Sequence, residues 1–264
     1  MSSVANENAN VPGPVLIWDL PTRLFHMLLA SGFFAAAGIA FLIDEDSSAY
    51  PYHMLIGLTI ALMVVLRLIW GVVGTRYARF GSFLFGPSEV FAYGRSVLTG
   101  GGKRYLGHNP GSALAIFAML GLVLALAVTG FMMARGNEGI KDVHEILAYA
   151  SLVVVGAHIL GVLVHTVRHR ENLTRSMITG SKIADAAAGI RSAQPVVAAV
   201  FLVVVGVWAF ALLRGYDPVT RSGKLPLAGV AMQYGENEAG EAKGGGKVGE
   251  GAKGPSKAKA DDDD

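Results

Sequence analysis

The chain has 264 residues, of which 52% are apolar and 16% charged, with a mean hydropathy of +0.47 and a formal net charge of +2. Soluble domains average about 25% charged residues, so this apolar excess has to be buried in lipid, and a soluble globular class is excluded. Cysteine is absent, which removes disulfides, thiolate-bound metals, iron–sulfur clusters and covalent c-type haem attachment; no nucleic-acid partner is expected.

Residues 1–14, MSSVANENANVPGP, lack the basic region and cleavage site of a signal peptide, so the first span is expected to be retained. Five apolar stretches reach the roughly 20 residues needed to cross a bilayer as helices: Thr22–Ile43, Tyr52–Val73, Ser112–Met133, Val143–Thr166 and Pro195–Leu213. The first carries His26 and the second carries His53 and Arg67.

The long connection from Gly74 to Gly111 holds an apolar, aromatic stretch in which Ser88 is expected to cap a short surface-lying helix starting near Glu89. Asn109 and Pro110 read as a cap and first helical residue for the third span. The fourth span carries His144 and His158, whereas the fifth has no ionisable side chain and reads as an anchor or packing helix. Residues 216–264, rich in Gly, Lys, Glu and Ala with a terminal Asp run, are expected to be a disordered tail, leaving 15–215 as the membrane domain. The expected class is all-α: a polytopic membrane helical bundle with a four-helix core and a fifth transmembrane helix.

Lys and Arg concentrate in the connections between spans two and three (Arg76, Arg79, Arg95, Lys103, Arg104) and between four and five (Arg168, Arg170, Arg175, Lys182, Arg191). Positive charge marks the cytoplasmic side, which predicts residues 1–14 inside and the C-terminus outside the membrane.

Four histidines in apolar spans are costly and point to an intramembrane cofactor. His144 and His158 stand fourteen residues apart on one helix, about 21 Å along its axis and within roughly 40° of the same face. By topology His26 shares the inner level with His158, and His53 the outer level with His144. Two pairs at two depths suit bis-imidazole ligation of two b-type haems, which leaves electron transfer as the chemistry and no catalytic residue. Small residues follow each histidine by about one turn, Ala30, Gly57, Ala148 and Gly161, and leave room for a porphyrin or for close helix packing.

Two other readings of the histidines stay open, as core hydrogen-bonders or as ligands of a copper- or zinc-type ion; a zinc-protease motif is absent because position 148 is Ala. Arg67, fourteen residues after His53, reaches the inner level, either toward a haem propionate or snorkelling to the interface. Arg23 and Lys141, each three residues before a histidine, are candidates for propionates or head groups. His165 is a candidate for a quinone or propionate contact, His169 reads as solvated, and His108 as mainly structural.

The segments WDLPTRLFH, YHMLIGLTIALMVVLRLIWGVVGTRYARF, GHNPGS and VHEILAYASLVVVGAH resemble the bacterial cytochrome b561 and nickel-hydrogenase b-type cytochrome family over about Val15–Thr166. The resemblance implies a helical bundle with two non-covalent haems b and axial pairs His26–His158 and His53–His144. It also implies respiratory electron transport between membrane quinone and an outer redox partner, such as a c-type cytochrome or a metalloenzyme. The stretch after the second span looks more like the stand-alone branch than the hydrogenase subunits, which stay as an alternative. A membrane scaffold or sensor using haem or a metal only for structure is the alternative of another class. Quinone is expected near the inner haem, beside His108, His165, Arg67 and Arg76, with the partner outside near His53 and His144.

Overall fold

The computed structural model describes residues 12–100 and 103–235. Seven helices dominate it: α1 (Leu20–Leu42), α2 (Pro51–Val73), α3 (Pro87–Thr99), α4 (Pro110–Ala134), α5 (Lys141–His169), α6 (Leu173–Thr179) and α7 (Pro195–Gly215). Five of them, α1, α2, α4, α5 and α7, are long and apolar enough to cross a membrane, in agreement with the five spans read from the sequence.

Their starts follow local chemistry. The Asp19 carboxylate accepts the Thr22 amide at 2.9 Å ahead of Pro21, and Asn109 accepts the Ser112 amide at 2.8 Å ahead of Pro110. In both, a short polar side chain satisfies an orphan helix amide and proline takes a position that needs no N–H donor. The surface helix α3 departs from expectation: it starts at Pro87 and is capped at Gly86, whose amide donates to Glu89 Oε2 at 3.1 Å. Proline at the first turn and the reach of Glu89 back by three residues move the start upstream of Ser88. No residue of α3 is buried, and Phe91 stands fully out from it, as a membrane-surface element requires.

Helix α2 is the hub, packed against α1, α4 and α7. The main core joins Phe25 of α1, Ile60, Met63 and Val64 of α2, Leu120 and Val123 of α4, and Phe201 and Val205 of α7. The fifth span is thus a packing helix, tied further by the Trp208 indole donating to the Leu58 carbonyl at 3.3 Å. Helix α5 differs. It packs along α4, makes no extended contact with α1 or α2, buries only Ser151, and contributes to none of the core clusters among the described residues.

Two small antiparallel pairs close the ends. Strand β1 (Gly13–Leu16) pairs with β2 (Ser181–Ala184) at the end where α2 stops and α4 starts, the inner end in the predicted topology. At the outer end β3 (Ser222–Lys224) pairs with β4 (Ala231–Gln233). The expectation of disorder from residue 216 therefore fails over 216–235. Met232 and Tyr234 bury against Leu55, Leu58 and Leu212, and Arg135 donates to the Ala231 carbonyl at 2.8 Å. Tertiary burial orders a segment whose composition alone would not, and the remainder of the predicted tail lies outside the described residues.

Gly71 is a tight point. A Cβ there would lie 2.1 Å from Phe80 Cε2, and the Phe80 ring in turn carries the Arg67 guanidinium 4.9 Å from its centroid. Gly71→Ala should lower stability by about 1–3 kcal/mol, read as a fall in the thermal midpoint in detergent; an unchanged midpoint would contradict this packing.

Candidate functional site

Every histidine that sequence reading set aside for a cofactor lies on α1, α2 or α5. At the outer end the His53 and His144 rings face each other, 6.2 Å between centroids and 79° between planes. His53 Nδ1 lies 2.9 Å from the Ala36 carbonyl oxygen, which can only accept, so His53 carries its proton on Nδ1. The Thr129 hydroxyl lies 2.8 Å from His144 Nδ1 and can donate to the Ala125 carbonyl at 2.9 Å, which lets it accept from the ring. With Nδ1 engaged in both rings, Nε2 is the nitrogen left to face a metal, the arrangement by which outer contacts orient metal-binding imidazoles.

At the inner end His26 and His158 lie within electrostatic reach of one another. His26 Nδ1 is buried and unpartnered. Nothing lies within 4 Å of a Cβ built on Gly57 or Gly161, so there is open space beside α2 and α5 one turn from His53 and His158.

The residues fit a haem better than a bare ion. A metal–imidazole bond is about 2 Å and a ring centroid sits about 1 Å behind its Nε2, so imidazoles on opposite sides of one iron have centroids about 6 Å apart. That matches the outer pair. Among the described residues no group of three or more His, Cys, Asp or Glu could hold a metal ion, whereas a porphyrin brings four ligands and needs only two more.

Arg67 does not snorkel. It is 5% exposed, donates from Nη2 to the Ala78 carbonyl at 3.0 Å and stacks on Phe80, while Nη1 is buried without a partner. Arg23 is engaged at the inner end. Its guanidinium donates to the Met177 and Ile178 carbonyls at the end of α6, because a helix C-terminus presents unpaired carbonyls to a cation. Lys141 pairs with Glu45 at 3.1 Å across the outer connections.

His108 is more deeply embedded than its place in a connection suggests, between the rings of Trp18 at 4.8 Å and Phe83 at 4.3 Å, with Nδ1 unpartnered. Burial first, then the charges of Arg67 and Lys182, push its pKa down to about 3, so it is neutral at physiological pH. Above it opens a crevice of about 350 Å³ bounded by Arg76, Lys103, Arg104 and Tyr105. His165 turns toward Glu171, with Nε2 3.8 Å from its Oε2, and toward the His169 ring at 4.5 Å. Burial would raise the Glu171 carboxyl, but Lys182, bonded to it at 3.0 Å, together with Arg104 and His165 holds it below the ordinary value.

Two residues that sequence reading did not single out organise these ends. Thr129 fixes His144. Asp19, 1% exposed, accepts from Thr22 N, from Trp70 Nε1 at 3.1 Å and from Thr75 Oγ1 at 2.5 Å. A lone polar residue beside an apolar span was the available signal for each.

Comparison with known proteins matches residues 17–180 to the family model of the prokaryotic cytochrome b561. A "Probable Ni/Fe-hydrogenase B-type cytochrome subunit" of Rhizobium leguminosarum bv. viciae is 24% identical over 212 residues, covering 64% of this chain and 89% of that protein. A protein of the same description from Bradyrhizobium diazoefficiens is 22% identical over 213 residues, covering 64% and 85%. No solved structure matches the chain.

Proposed function

The chain belongs to the prokaryotic cytochrome b561 family, membrane b-type cytochromes of electron transfer, and from that premise we propose that it carries two haems b and moves electrons across the bacterial inner membrane. In this reading one haem is held between His53 and His144 and the other between His26 and His158, with quinone at the inner end and a redox partner at the outer. The observation that carries it is the outer pair, two imidazoles 6.2 Å apart whose Nδ1 atoms are both engaged and whose Nε2 atoms are left for a metal.

When bound, haem would supply a one-electron couple, and His26, His53, His144 and His158 would be the residues that hold it, which suits electron transfer. The chain's own residues do the positioning. The Ala36 carbonyl and the Thr129 hydroxyl fix ring orientation at the outer level. The fourteen-residue spacing on α5 sets two levels about 21 Å apart along one helix, which divides the bilayer without any movement of the protein. Arg67 holds a buried positive charge at the inner level, suited to a propionate. The Lys and Arg excess at the inner end supports an N-terminus inside and a C-terminus outside.

A second reading is favoured by the names of the relatives: a cytochrome b subunit of a membrane-bound hydrogenase or similar oxidoreductase complex, in which the outer partner is the enzyme itself. A reduced-minus-oxidised visible spectrum of the purified protein, with a pyridine haemochrome count, tests the common core of both. B-type bands that respond to quinol and two haems per chain are expected. A colourless protein, or one whose bands do not respond to any donor, would leave a scaffold or sensor in its place.

A further inference from the structure

The two ends of the bundle differ in what their buried polar groups lack. At the outer end both histidine Nδ1 atoms are bonded and Lys141 is paired with Glu45. At the inner end Thr22 Oγ1, His26 Nδ1, Arg67 Nη1 and His108 Nδ1 are all buried without a partner, whereas at the outer end, among the described residues, the neutral Tyr234 hydroxyl alone is. An unanswered guanidinium N–H in a dry interior is costly enough that it implies an acceptor, and an anionic one for a cation. Asp19 is near enough for its charge to act on Arg67 but makes no hydrogen bond to it; its carboxylate accepts from Thr22, Trp70 and Thr75 instead. His108, close enough to Arg67 to feel its charge, adds a second, neutral polar group with a buried, unpartnered ring nitrogen.

The wider field has the same sense. Around the inner level Arg23, Arg67, Arg76, Arg79, Arg95, Lys103, Arg104, Arg168, Arg170, Arg175, Lys182 and Arg191 outnumber Asp19, Glu89, Glu171 and Asp185, while at the outer end Asp44, Glu45, Asp46, Glu138, Asp142, Glu145 and Asp217 slightly outnumber Arg135, Lys141, Arg214, Arg221 and Lys224. Adding an electron to a haem adds one negative charge, which nearby cations stabilise and nearby carboxylates oppose, most strongly where the medium is poorly polarisable.

We infer that Arg67, seconded by His108, holds a carboxylate of the inner haem and, with the basic inner end, sets that haem at a higher reduction potential than the outer one. The inference rests on the two-haem reading above. Its consequence is that a single electron shared between the two levels resides at equilibrium on the inner one. The charge asymmetry that orients the chain in the membrane thus also orients its electrons.

The test is an optical redox titration of the full chain in detergent. Two b-type components are expected, with His26→Ala removing the higher and His53→Ala the lower. Arg67→Gln should shift the higher component downward and leave the lower in place, and Arg67→Lys should restore most of the shift. The double variant Arg76→Glu with Lys103→Glu changes the crevice wall rather than the core, and serves if Arg67→Gln loses the inner haem. It should move the same component down by a smaller amount that fades with added salt. Loss of the lower component from His26→Ala, or unmoved potentials in both charge variants, overturns the inference. A haem count below two, read before any titration, fails the underlying reading and the inference with it.

Discussion

His53→Ala or His144→Ala should halve the haem content of the purified protein and leave the component that depends on His26 and His158. The expectation follows from the separation of the two pairs along α5, about 21 Å by helix rise, which leaves the inner level untouched by an outer substitution. It follows also from the way each ring is held. His53 and His144 depend on Ala36 and Thr129, which belong to the outer half alone. With one axial imidazole gone, non-covalent haem loses a coordination bond that nothing nearby can replace, since no third His, Cys, Asp or Glu approaches to form a ligand group among the described residues. A pyridine haemochrome assay and the reduced spectrum measure the result. Retention of both haems in His53→Ala would show that this pair is not a ligand set.

Asp19→Ala should be the most damaging substitution outside the histidines, with a loss of about 3 kcal/mol or more. Its carboxylate caps α1 through the Thr22 amide and also receives the Trp70 indole and the Thr75 hydroxyl, both from the far end of α2 and its exit. Removing a cap costs about 1 kcal/mol, and each buried donor left without an acceptor about 1–3 kcal/mol more. Asp19→Asn keeps an oxygen for the cap and should fall between the parent and Asp19→Ala. Thermal or denaturant unfolding in detergent reads the order, and a parent-like midpoint for Asp19→Ala would mean that water replaces the carboxylate without cost.

The spans were legible because their physics is one-dimensional. A run of about 20 apolar residues is long enough to cross a bilayer wherever it occurs, and Asn109-Pro110 marks a helix start by chemistry local to a few residues. The spacing of His144 and His158 is likewise a property of one helix. The hairpin at Ser222–Lys224 and Ala231–Gln233 was not legible, since its order comes from Tyr234 and Met232 meeting Leu55, Leu58 and Leu212, residues distant in the chain.

For this protein the sequence by itself determined the membrane class, the five spans, the placement of four histidines in them and the uneven distribution of charge. Where the side chains of Arg67, Arg23 and His108 lie came only from the fold. Whether a long cation reaches water, a helix end or a buried aromatic ring depends on which other segment comes to lie beside it: Ala78 and Phe80 for Arg67, the end of α6 for Arg23. The fold also decided that α5 stays out of the packed core while α7 enters it. Both helices are apolar enough to cross a membrane, but α5 also carries His144, His158 and His165 where α7 has no ionisable side chain before Arg214, and the neighbours each one meets then separate a helix that fills space from one that leaves it.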